Sequence, residues 1–185
     1  MNKILKSVLT GILVFAIAFL GVYLGMSFRG MSGSSSSQQS TLTQTKLQVG
    51  NQFPSVSLMK SDSSWVQTPN LYENDGAVFL FMEMGCPPCV AMSQKWQQMI
   101  NNGAIAKDKV VGVIFEAEQS VGSYSTKNDL TFPIYCDTGK VFLKNYDVTE
   151  YPYVVVVGKS GKVHFQTYNP RDEISPKELA AKLSD

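Results

Sequence analysis

Residues 77–92 read AVFLFMEMGCPPCVAM, an apolar run from Ala77 to Met84 that gives way to a helical pattern through Cys86-Pro87-Pro88-Cys89. The run is short, rich in β-forming residues and nearly continuous in apolar character, as a strand buried on both faces must be. Beyond the cysteines, Met92, Trp96, Met99 and Ile100 recur at i, i+4, i+7 and i+8, and Asn102-Gly103 supplies a stop. Two thiols therefore open a helix. A helix N-terminus carries unpaired N–H groups and about half an elementary positive charge, which favours thiolate over thiol at Cys86. A cysteine so placed can have its pKa drawn from about 8.5 into the range of roughly 3.5 to 7.5. Cys89, one turn on, can then displace a sulfur that Cys86 has bound. The chemistry this suggests is thiol–disulfide exchange.

Around this stretch, strand and helix patterns alternate. Val110 to Phe115 (VVGVIF) and Tyr153 to Val157 (YVVVV) repeat the buried-strand character, whereas Val163 to Tyr168 (VHFQTY) is mixed and suits an edge strand. Gly158-Lys159-Ser160-Gly161 between the last two predicts a hairpin, hence an antiparallel pair. Ser175-Pro176-Lys177-Glu178 places a hydroxyl at the N-cap, proline at N1 and glutamate at N3 of a C-terminal helix running through Leu183. The sum is an α/β domain with a mixed central sheet flanked by helices.

The 185 residues, 44% of them hydrophobic, suffice for one core but not two. A net charge of +1 gives no electrostatic case for nucleic acid. Three cysteines are too few for a disulfide scaffold. From Val8 to Phe28 the chain reads VLTGILVFAIAFLGVYLGMSF, about 21 residues without a charge, long enough to cross a hydrocarbon core of roughly 30 Å. Lys3 and Lys6 precede this span and only Arg29 follows closely, so the positive-inside bias keeps the first residues in the cytoplasm and everything after Arg29 outside. The reading is a single-pass anchor in the cytoplasmic membrane; the alternative is secretion after cleavage of a signal peptide. Three regions result: residues 1–29, a cytoplasmic stub and anchor; 30–46, a Ser-, Gly-, Gln- and Thr-rich tether; and 47–185, the globular domain.

In order along the chain stand Val49-Gly50-Asn51-Gln52-Phe53-Pro54, the strand leading into Cys86-Pro87-Pro88-Cys89, Phe132-Pro133-Ile134 with Asp137 shortly after, and Tyr151-Pro152 ahead of a hydrophobic strand. In this set the chain resembles the thioredoxin-fold proteins, and among them the membrane-anchored TlpA/ResA-like thiol–disulfide oxidoreductases, from about Val49 to Leu183. The resemblance implies a thioredoxin-like fold preceded by one transmembrane helix. It implies that Cys86 attacks, Cys89 resolves and Pro152 is a cis-proline, with the Tyr151 backbone able to pair with an extended substrate. An X–Pro bond gives up only about 0.5 to 1 kcal/mol on becoming cis, although trans remains the commoner state. No bound cofactor is implied beyond the Cys86–Cys89 disulfide itself. The partners implied are exported cysteine-containing proteins, such as apocytochromes or secreted peptides, and an integral-membrane electron donor or acceptor.

Departures from the family pattern matter too. Gly85 stands where tryptophan is common, and Leu80 where thioredoxin has a buried acid. Glu83, three residues before Cys86, is a candidate for proton transfer, or else a solvated carboxylate at a strand tip. Pro87 and Pro88 each lack an N–H, leaving Cys89 and Val90 as donors to the Cys86 sulfur, which leans towards reductase or isomerase work rather than disulfide formation. Cys136 reads as a small buried hydrophobe or a third redox thiol. His164 reads as a surface residue of the hairpin. Cys86, Cys89, Cys136 and His164 together would spell a Cys₃His zinc site, or a thiolate metal carrier, a different class of function altogether.

Overall fold

A computed structural model describes residues 45–116, 119–169 and 171–185. The expected membrane span and most of the tether lie outside these residues. Among the described residues no helix is long and apolar enough to cross a membrane.

Seven strands form one sheet: β1 (Ser57–Met59), β2 (Trp65–Gln67), β3 (Ala77–Met82), β4 (Val110–Ile114), β5 (Ile134–Cys136), β6 (Tyr153–Val157) and β7 (Val163–Thr167). Their order is β2-β1-β5-β4-β3-β6-β7. The central strands β3, β4 and β5 run parallel, while β6 and β7 add antiparallel on one side and β1 and β2 on the other. The helices are α1 (Pro69–Tyr72), α2 (Pro87–Asn101), α3 (Gln119–Lys127), α4 (Val141–Tyr146) and α5 (Pro176–Ser184).

Because successive strand side chains point to opposite faces, each apolar run feeds two cores. Val78, Leu80 and Met82 of β3, with Val110 and Ile114 of β4, pack against Met92 and Trp96 of α2, Val121 and Tyr124 of α3, and Leu179 and Leu183 of α5. Phe79 and Phe81, with Val111, Val113 and Tyr153, pack on the other face against Phe53, Tyr72 of α1 and Phe142 of α4. This two-layered cover of a mixed sheet is the thioredoxin-like fold. The caps read from sequence hold: Ser175 Oγ accepts the Glu178 N–H at 3.2 Å, with proline at the start of α5.

Several boundaries differ from expectation. β3 ends at Met82 rather than Met84, β4 at Ile114 rather than Phe115, and β7 at Thr167 rather than Tyr168. Thr45 and Lys46, assigned to the tether, belong to the domain. Thr45 is buried, and its hydroxyl and the Lys46 N–H both donate to the Tyr146 carbonyl at the end of α4, at 2.8 and 3.0 Å. His164 is not a freely exposed hairpin residue: its side chain is 19% exposed, with Nε2 3.2 Å from an Asp185 carboxylate oxygen at the C-terminus.

Candidate active site

Since β3, β4 and β5 are parallel, their carboxyl ends converge on one edge of the sheet, the place where open α/β sheets offer ligand sites. There Gly85, with a φ of 77°, turns the chain from β3 into α2. That left-handed conformation costs glycine nothing and would strain any residue with a side chain.

Cys86 is the N-cap of α2, in extended conformation, with Pro87 and Pro88 opening the helix behind it. Its Sγ accepts the Cys89 N–H at 3.2 Å, and its carbonyl accepts Cys89 N–H and Val90 N–H at 3.1 and 3.2 Å. Of the two donors expected at the sulfur, only Cys89 reaches it; Val90 serves the carbonyl. Cys86 and Cys89 are joined as a disulfide with their Cα atoms 5.3 Å apart. Cys86 is half-buried, its prolines are exposed, and Cys89 is fully buried. The asymmetry leaves one sulfur within reach of a partner and shields the other.

The Tyr151–Pro152 peptide bond is cis. Phe81 of β3 pairs with Tyr153 of β6, so this bond lies beside the end of β3, on the same edge as Cys86. The Tyr151 hydroxyl donates to the Val148 carbonyl at 2.9 Å, and its ring packs on Phe115 at 5.2 Å between centroids. Burial pushes the Tyr151 hydroxyl well above the ordinary phenol range, and the charges of Glu83, Glu116 and Asp137 push it further in the same direction. Glu83 itself is exposed.

The carboxylate that does grip the active-site segment is one the sequence did not single out. Glu116, half-buried just past β4, accepts the Met84 N–H at 2.8 Å through Oε1 and the Phe115 N–H at 3.0 Å through Oε2. Its main-chain carbonyl accepts the Cys136 thiol. The only signal for it in the sequence was an acidic residue at the carboxyl end of a central strand.

Cys136 is fully buried at the end of β5, in the same apolar cluster as Cys89. The zinc reading does not survive the topology. Strands β4, β3 and β6 separate β5, with Cys136, from β7, with His164; at about 4.8 Å per strand the two stand roughly 19 Å apart. Among the described residues no three His, Cys, Asp or Glu side chains cluster as a metal would require.

No curated protein matches the chain. Solved structures do. A Chlorobium tepidum protein assigned as a thiol:disulfide interchange protein DsbE is 20% identical, with a TM-score of 0.62 over 75% of this chain and 99% of that one. The peroxidoxin BcpB of Mycobacterium tuberculosis is 14% identical, with a TM-score of 0.59 over 74% and 96%. A secreted Mycobacterium tuberculosis disulfide oxidoreductase homologous to E. coli DsbE is 22% identical, with a TM-score of 0.54 over 70% and 95%. At such identities the likeness speaks for the fold. The AhpC/TSA family model matches residues 49–166, from the turn before Phe53 to the last strand, and the chain belongs to that family.

Proposed function

We propose that this chain works outside the cytoplasm, tethered to the membrane by its segment from Val8 to Phe28, and reduces or isomerises disulfides in exported proteins through Cys86 and Cys89. Its family makes it a thioredoxin-like thiol–disulfide oxidoreductase. The observation that carries the reading is the pairing of a half-buried Cys86 at the N-cap of α2 with a fully buried Cys89 one turn away, next to a cis-proline loop.

In the reducing direction Cys86 thiolate attacks one sulfur of a client disulfide, forming a mixed disulfide and expelling the other client sulfur as thiolate. Cys89 then loses its proton and attacks Cys86 Sγ, closing the Cys86–Cys89 bond and expelling the second client thiolate. One client disulfide gains two electrons and the protein dithiol loses two; the released thiolates take up protons from solvent. The disulfide-bonded form is the product of this cycle, and an integral-membrane dithiol would return it to the start. The Glu83 carboxylate and the Tyr151 backbone would serve proton transfer and client binding.

The test is the redox equilibrium of the full chain against glutathione, together with insulin reduction. A potential near −270 mV supports the reductase, and one near −120 mV would assign a disulfide-forming oxidant instead. The likeness to a peroxidoxin supplies a second reading, peroxide reduction by the same thiols. Consumption of hydrogen peroxide with no reduction of insulin would favour it.

A further inference from the structure

β3 and β4 keep parallel register as far as Met82 opposite Ile114 and then part. Past that point the Met84 N–H has lost its ladder partner, and the Glu116 carboxylate replaces it. With its second oxygen held by the Phe115 N–H, the carboxylate is fixed in one orientation against the segment that carries Cys86. Met84 and Cys86 are two residues apart, so their Cα atoms lie within about 8 Å, and the carboxylate that holds Met84 sits at the base of the cysteine turn. Among the described residues no Lys, Arg or His side chain pairs with Glu116. Its carboxylate is half-buried and held still, with no cation paired to it among the described residues.

We propose that Glu116 is a positioning residue for thiol–disulfide exchange: it pins the segment under Cys86, and its charge makes the Cys86 thiol less acidic, and the cysteine pair more reducing, than the helix terminus alone would set. The proposal rests on the oxidoreductase reading. A like charge disfavours the thiolate, and a dithiol whose reduced form is less stabilised gives up its electrons more readily. The other titratable groups around this edge are Glu83 and Cys89 of the same segment, Tyr124 of α3, Cys136 and Asp137 at the end of β5, and Tyr151 of the cis-proline loop. Tyr124 and Tyr151 are both shifted upwards, chiefly by burial, and carry no charge at neutral pH. Asp137 turns one oxygen to the Phe142 N–H at 2.8 Å, at the start of α4 on the opposite face. Glu83 is exposed, and water screens it.

The experiment compares the full chain with its Glu116→Gln and Glu83→Gln variants in two readouts, the pH dependence of iodoacetamide labelling at Cys86 and the redox equilibrium with glutathione. Glutamine keeps an acceptor oxygen for the Met84 N–H and removes the charge. Glu116→Gln should move the labelling midpoint to lower pH by about one unit and shift the glutathione equilibrium about tenfold towards a stronger oxidant, equivalent to about 30 mV. Glu83→Gln should shift either readout by less than half as much. A purely structural role would lower the melting temperature without moving the labelling midpoint, and that result overturns the proposal, as does an equal response from Glu83→Gln. A wild-type chain that exchanges nothing with glutathione sinks the oxidoreductase reading and this one with it. Normal exchange in the wild type beside an unaltered Glu116→Gln sinks this one alone.

Discussion

The Cys89 amide donates to the Cys86 sulfur across 3.2 Å, and it is the first N–H of α2 that can, since Pro87 and Pro88 have none to offer. An N-cap side chain ordinarily takes its bond from the second or third helical amide, so the second place, at Pro88, is vacant by chemistry rather than by geometry. Restoring it gives a direct test of how the loop tunes the pair. Pro88→Ala should supply a second donor to the Cys86 thiolate, making that thiol more acidic and the protein more oxidising. A charge-assisted bond of about 1.5 kcal/mol corresponds to roughly 30 mV. Equilibration of the variant with glutathione measures it; an unchanged or more negative potential would show that the extra amide does not reach the sulfur.

Burial separates the roles of the two cysteines. With Cys86 half-buried and Cys89 at 0% exposure, a client can touch only the first. Cys89→Ala should therefore accumulate mixed disulfides through Cys86, visible on non-reducing gels and removed by dithiothreitol, while Cys86→Ala should accumulate none. Reduction of insulin should fall to background in both. Trapping through Cys89 in the Cys86→Ala chain would contradict the assignment.

How far the sequence led is plain from particular elements. β3, β4 and β6 were legible because strands buried on both faces write themselves as unbroken apolar runs, and α5 because its cap residues have one chemical meaning. β1 and β2 span three residues each, too short to show a period, and α3, QSVGSYSTK, has only Val121 and Tyr124 as apolar positions among a glycine and several Ser and Thr residues, too few to mark a helix. Glu116 stayed hidden for another reason: its partner is a main-chain N–H 32 residues away, and nothing in a side-chain pattern announces a broken ladder. Glu83 drew attention through nearness in sequence to Cys86, yet nearness across strands decided which carboxylate holds the segment.

The aromatic core beneath the site offers a stability test. Phe142 of α4 is fully buried, with ring centroids 4.8 Å from Phe81 and 5.6 Å from Phe53. Truncation leaves a cavity that the sheet on one side and the helix on the other cannot close. Phe142→Ala should cost about 3 to 5 kcal/mol in urea unfolding of the domain. A cost below about 1 kcal/mol would mean that α4 collapses into the space. The site edge is built from strand ends on this core, so insulin reduction should also lose heat resistance in step with the unfolding midpoint.

Alkali should undo the other end of the same core. Tyr153 is buried, donates to the Leu47 carbonyl at 3.0 Å and stacks on Tyr168 at 4.2 Å. Burial, the largest influence on each, raises both hydroxyls, Tyr168 to about 12 and Tyr153 further. In the unfolded chain tyrosines lose their protons near pH 10. Between pH 10 and about 12 the folded state therefore holds more protons than the unfolded one, and stability falls as pH rises; below pH 10 this contribution is fully present. Each pH unit in that window removes about 1.4 kcal/mol through Tyr153 alone. The urea midpoint should be level up to about pH 9 and decline steadily above pH 10. Tyr153→Phe, which has no proton to lose there, should make that decline shallower. A midpoint that stays level through pH 12, or an identical slope in Tyr153→Phe, would show that these hydroxyls ionise without disturbing the fold.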